Sequence, residues 1–200
     1  MPLPDISGAR AAGGDRLERS VWSFRHFTLG VVAIFFYVGA EVCVGANITM
    51  YADELNLETG ALLATLYWGG LLVGRLIGST LSTVPPRTQL TVTTCGAAVL
   101  TTLAIVLDST AVLAAVGICH SIMWGAIFTL AVNDLGKYTS AATGAFMIGV
   151  VGGAILPLLQ GVYADMTGGW RSSWWLVVAS ELIMLSYALF GSRIKSKSDE

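Results

Sequence analysis

Six runs of apolar residues, at about 27 to 51, 60 to 83, 88 to 107, 110 to 133, 141 to 164 and 172 to 190, alternate with short polar connections along almost the whole chain. Each run supplies the roughly 20 residues, at about 1.5 Å of rise apiece, that an α-helix needs to cross a hydrocarbon core about 30 Å thick. The pattern predicts an all-α membrane protein: a polar segment over 1–26, a six-helix bundle over 27–191 and a polar tail over 192–200.

The runs divide three and three, and residues 27 to 107 match 110 to 190 in length. The second run carries Gly70, Gly74, Gly78 and Ser82; the fifth carries Ala145, Gly149, Gly153, Pro157 and Gly161. Each ladder steps by four residues and so forms one side of a helix on which a neighbouring backbone can come close. Small residues at this spacing are also common in plain helix packing, but two ladders at matched places say more. The second and fifth spans are expected to be contact helices. One triplet starts at one membrane face and the other at the opposite face, so the six spans read as a 3+3 inverted repeat.

Composition agrees with lipid as the solvent, since 54% of residues are hydrophobic and 12% charged, too little polar surface for a soluble domain. The net charge of −2 offers no basic surface for nucleic acid. Residues before Phe27 have no apolar stretch of their own, so the first span is expected to act as the insertion signal. Cys43, Cys95 and Cys119 all fall inside spans without CxxC spacing, which favours neither disulfides nor zinc. No nucleotide-binding, serine-hydrolase or zinc-protease motif occurs. Neither a metal nor a cofactor is expected, and an enzyme is disfavoured.

Charge also orients the chain. Arg10, Arg16, Arg19, Arg25, Arg87, Lys137, Arg193, Lys195 and Lys197 fall at one face, and Arg171 at the other. By the positive-inside rule both termini are expected in the cytoplasm, with the spans in a bacterial-type inner (plasma) membrane.

Polar side chains at bilayer depth cost at least about 2.5 to 3.5 kcal/mol on insertion scales, so each needs a partner, a watery cavity or a function. Glu41 stands near the middle of the first span, with Tyr37 and Gly45 one turn away; it reads as a substrate hydrogen-bonder or proton site, or as a paired packing residue. His120 lies at mid-depth in the fourth span near Trp124, able to donate or titrate, though a lone His often only packs. Asn47 and Gln160 add neutral hydrogen-bonding capacity. Arg75, late in the second span, has Asp134 as a candidate partner in a gating latch. Glu181 is expected to point inward or toward another subunit. Trp170, Trp174 and Trp175 fit an interfacial aromatic belt.

Five runs in order carry a resemblance: Phe35-Phe-Tyr-Val-Gly-Ala-Glu41, Tyr67-Trp-Gly-Gly-Leu-Leu-Val-Gly-Arg-Leu-Ile-Gly-Ser79, Ser121-Ile-Met-Trp-Gly-Ala-Ile-Phe128, Leu135-Gly-Lys-Tyr-Thr139, and Val151-Gly-Gly-Ala-Ile-Leu-Pro157 through Gly161-Val-Tyr-Ala-Asp165. They resemble the carboxy-terminal half of the fucose permease and glucose/galactose transporter family, within the major facilitator superfamily. The resemblance implies one half of a twelve-helix fold whose two bundles alternate access to a sugar. It places the first and fourth spans along the cavity and the second and fifth along the seam between bundles. It makes Glu41, Asn47, His120, Trp124 and Gln160 candidate contacts for a hexose or deoxyhexose such as fucose, glucose or galactose. Protons are the implied coupling ion ahead of sodium, although the acidic residues linked to coupling in this family belong to the amino-terminal half. The fourth span departs from the family pattern, with His120 where Asn is frequent and Gly125 where Pro is frequent. A second six-helix half, from a homodimer or a separate gene, is the expected partner. The alternatives are a truncated inactive fragment and a six-helix scaffold or channel.

Overall fold

The computed structural model describes residues 18–81 and 83–193; Ser82, Arg10, Arg16, Lys195, Lys197 and most of the two polar end segments lie outside the described residues. Six helices are long and apolar enough to cross a membrane: α1 Arg25–Glu54, α2 Gly60–Ser79, α3 Pro86–Leu107, α4 Thr110–Val132, α5 Gly136–Thr167 and α6 Arg171–Arg193. The described residues contain no strand.

Helix boundaries follow local chemistry. Pro86 opens α3, where a missing N–H costs nothing. Asp108 closes α3 in the left-handed region at φ 53°, and the next residue, Ser109, caps α4 by accepting from the Val112 N–H. Gly168, at φ 75°, ends α5 in the same left-handed way. The fifth helix is not uniform: it tightens to 3-10 geometry over Met147–Val151.

α1 and α4 are the most enclosed of the longer helices, while α2 and α5 are the least. α1 packs against α2, α4, α5 and α6, and α4 also packs against α2 and α3. Exchanging α1 with α4, α2 with α5 and α3 with α6 maps these pairings onto one another: α1·α5 becomes α4·α2, α1·α6 becomes α4·α3, and α3·α6 maps to itself. The two repeats are therefore interleaved, each peripheral helix leaning on the central helix of the other triplet.

The glycine ladders make these close approaches. A β-carbon at Gly74 would press on the Ser121 side chain and lie 3.0 Å from the Ile118 carbonyl; one at Gly78 would meet Ile122. On the other repeat, Gly149 lies against Val31 and Ile34, Gly152 against the Phe35 carbonyl, and Gly153 against Val38. Gly161 departs from the expected ladder, since a β-carbon there would meet only Trp170, at 3.9 Å.

A second reciprocity ties α3 to α6. Arg87, at the start of α3, donates from Nε to the Ala188 carbonyl at 2.7 Å and from Nη2 to the Leu189 carbonyl at the end of α6. Arg171, at the start of α6, donates to the Ile105 and Val106 carbonyls at 2.9 and 3.2 Å at the end of α3, with Asp108 at 3.6 Å. Each cation satisfies terminal carbonyls that no intrahelical N–H reaches and sits at the negative end of the partner's dipole.

Candidate functional site

The helix in α4 stops at His120, turns through Ser121 and Ile122 and resumes at Met123, without a proline. A break here frees backbone carbonyls in a region where lipid offers no donor. Side chains of α1 and α2 supply donors instead. The Tyr37 hydroxyl donates to the His120 carbonyl at 3.0 Å, and Arg75 Nε donates to the Ser121 carbonyl at 3.3 Å.

Arg75 also pairs with Glu41, Nη2 to Oε1 at 3.4 Å, with 58% of the arginine side chain and 12% of the glutamate exposed. This charge pair opens on the flank of α2 that also carries the exposed Trp68 and Leu72, seven and three residues before Arg75. Lipid offers such a pair neither hydrogen bonds nor counter-charge, so the flank suits water or another protein surface. Nearby, the Trp68 ring lies against Gly45, a contact that a side chain at position 45 would block, and stays 44% exposed.

Behind the pair runs a buried chain of hydrogen bonds. The Tyr67 hydroxyl lies 3.0 Å from the Glu41 backbone carbonyl and 2.6 Å from His120 Nδ1. His120 Nε2 lies 2.7 Å from Glu181 Oε1. Tyr67, His120 and Glu181 have no solvent exposure, and Glu181 Oε2 has no partner. The chain thus crosses from α1 and α2 through α4 to α6.

Two further groups complete the polar and aromatic interior. Asn47 Nδ2 donates to Gln160 Oε1 at 2.9 Å, and Gln160 Nε2 donates to the Ser173 hydroxyl at 3.3 Å, joining α1, α5 and α6. Trp124 stacks on Phe128, with centroids 5.5 Å apart, and meets the edge of Phe146 at 6.0 Å.

The sequence candidates therefore fall into separate settings. Tyr67 links the Glu41 backbone to His120, Asn47 and Gln160 bond each other, and Trp124 belongs to an aromatic trio. Glu41, Asn47 and Trp124 keep some accessible surface, whereas His120 and Gln160 are fully enclosed. The expected Arg75–Asp134 latch does not form. Arg75 is held by Glu41 and by the carbonyl freed at Ser121, while Asp134, in a left-handed turn after α4, accepts from Asn133 Nδ2 at 2.8 Å. Glu181 does point inward. The sequence does not single out Tyr67, which bonds the Glu41 carbonyl and His120, or the exposed Trp68, which lies against Gly45. Tyr67 could have been found, because it shares the buried face of α2 with Leu63, Leu71 and Gly74.

The architecture is that of one six-helix half of a major facilitator fold. The crystal structure of the transporter FucP in its outward conformation matches 97% of this chain and 48% of its own, with a TM-score of 0.80 at 23% identity. In sequence, a glucose/galactose transporter of Brucella abortus biovar 1 is 36% identical over 206 residues, covering 98% of this chain and 48% of the relative. The L-fucose-proton symporter of Escherichia coli K12 is 27% identical over 169 residues, covering 80% of this chain and 38% of the relative. No family model matches. The chain spans about half the length of the curated relatives it matches. It is a multi-pass membrane protein that resembles half of a transporter of the fucose permease and glucose/galactose transporter family.

Proposed function

We propose that the chain forms one bundle of a sugar carrier, and not an enzyme, in which a hexose or deoxyhexose crosses the membrane with protons by alternating access. The single observation that carries this reading is the Glu41–Arg75 pair, set midway along α1 on a flank that its own bundle leaves open. A second six-helix half, a second copy or a separately encoded chain, covers that flank and completes the cavity. It would be the carboxy-terminal half of the fold, with Arg25, Arg87, Lys137 and Arg193 on the cytoplasmic side of the plasma membrane.

In this reading Glu41 and Arg75 hold sugar hydroxyls by charge-assisted hydrogen bonds, and Trp124 offers a ring face. Asn47 lines the part of the cavity near α5, and the enclosed Gln160 acts on the sugar through Asn47, whose amide it holds. His120 acts from behind, holding Tyr67 against the Glu41 backbone. Asp134 and Arg75 remain candidates for gating in another state of the cycle. Rocking occurs along α2 and α5, whose outer faces are uncovered.

Proteoliposomes offered a panel of labelled hexoses from outside test this under an imposed proton gradient. Saturable uptake that falls at least about tenfold in Glu41→Gln is expected, a loss of about 1.4 kcal/mol of binding or more. Silence for every sugar, with the second half supplied, refutes the carrier; uptake unchanged in Glu41→Gln refutes the site.

A further inference from the structure

We propose that His120 and Glu181 form a proton-binding site, enclosed between α4 and α6 and connected through Tyr67 to the Glu41–Arg75 flank. Two different proton counts satisfy the same hydrogen-bond distances. When Tyr67 donates to the Glu41 carbonyl, its oxygen must accept from His120 Nδ1–H at 2.6 Å. One further proton then lies between Nε2 and Oε1, 2.7 Å apart, and the pair is neutral overall. This is the loaded state.

The same heavy atoms accommodate a second state with every donor reversed. Tyr67 yields its own proton to the Glu41 carboxylate and takes the proton of Nδ1, so one O–H and one N–H bond break while O–H bonds form on Glu41 and on Tyr67; Glu41, whose side chain is 12% exposed, then releases the proton to water at the flank. Nε2 takes the proton of Oε1, which leaves Glu181 as a carboxylate. Tyr67 now donates to Nδ1 and Nε2–H donates to Oε1, and one proton has left the protein. Neither state requires a heavy atom to move beyond its present hydrogen-bonding distance.

Two observations favour a working site over a static pair. Glu181 Oε2 has no partner although the residue is fully buried, and a pair kept only for stability would serve no better than apolar residues of equal volume. In addition, Tyr67 lies within bonding distance of two alternative acceptors rather than one. The ionisable groups around the pair are Tyr37, Glu41 and Cys43 on α1, Tyr67 and Arg75 on α2, and Cys119 on α4. The buried residues of α3 include no ionisable side chain. The role of this site in coupling rests on the carrier reading; the proton binding itself does not.

The test uses the full chain, labelled with 15N-histidine, in lipid nanodiscs without sugar. Only two histidines are present, and His26→Asn assigns the resonances. The protonated ring nitrogen of His120 is expected to change from Nδ1 to Nε2 as pH rises, and Glu181→Gln is expected to abolish the change. The same nitrogen protonated at every pH, or an unaltered switch in Glu181→Gln, overturns the proposal. Should that variant fail to fold, 13C-labelled glutamate in the unmodified chain decides: a carboxyl titrating in step with the ring upholds the site, and none doing so overturns it. Because sugar takes no part, a chain that switches but transports nothing refutes the carrier and not the proton site.

Discussion

Tyr67→Phe removes one oxygen from a fully enclosed position and keeps the ring, so it opens almost no cavity. Two hydrogen bonds are lost, with unequal consequences. The Glu41 carbonyl lies within α1 and retains its intrahelical donor, so that loss is small. Among the described residues His120 Nδ1 has no other hydrogen-bond partner, and the side chain is fully enclosed. A buried polar group left unsatisfied costs about 1–3 kcal/mol, and we expect about 2 kcal/mol of destabilisation. Detergent-denaturant titration in mixed micelles, followed by tryptophan fluorescence, measures it. Tyr163→Phe is the control: the residue lies in α5 and is 46% exposed, and it should change stability by less than about 0.5 kcal/mol. If Tyr67→Phe is as mild as the control, the imidazole does not depend on that hydroxyl and the buried chain has been misassigned.

Gly74→Leu should be among the most damaging single changes, above about 3 kcal/mol or preventing folding, because its β-carbon would drive α2 away from Ser121 and the Ile118 carbonyl. Gly69→Ala, whose β-carbon meets nothing within 4 Å, should instead be neutral or slightly stabilising in the same titration. Arg87→Gln and Arg171→Gln should each cost about 1–2 kcal/mol, less for Arg171 because it is half exposed. Since they act at opposite ends of α3 and α6, the double variant should lose the sum to within about 0.5 kcal/mol; a large departure would show that the two ends are coupled.

Much of the fold was legible because lipid imposes a coarse code: long apolar runs and matched small-residue ladders. That code does not give helix interiors. Nothing in the apolar run from 110 to 133 marks the break at Ser121, because proline is absent and the break is stabilised by Tyr37 and Arg75 from other helices. The ladder showed that α2 would meet a neighbour but not that the neighbour would be α4, since side-chain spacing defines a face without naming its partner. The site was legible residue by residue and not as an assembly. Glu41 and His120 stood out as charges or potential charges in apolar runs, yet Tyr67, which links the Glu41 backbone to His120, reads in sequence as one more aromatic. Arg75 likewise reads in sequence as bound for the aqueous edge at Asp134, whereas the folded chain gives it the Glu41 carboxylate and the carbonyl freed at Ser121.

The arginine ties between α3 and α6 bear on which positions can vary. Both guanidinium groups bond to main-chain oxygen at Ile105, Val106, Ala188 and Leu189, which any amino acid presents. Recognition is therefore one-sided. The four receiving positions are free to drift among apolar residues as the surrounding lipid demands, while the two arginines are not interchangeable with lysine, whose single ammonium cannot span adjacent carbonyls with a rigid fork. A mutational scan of this chain should accordingly find tolerance at each helix end and intolerance at the start of the helix beside it.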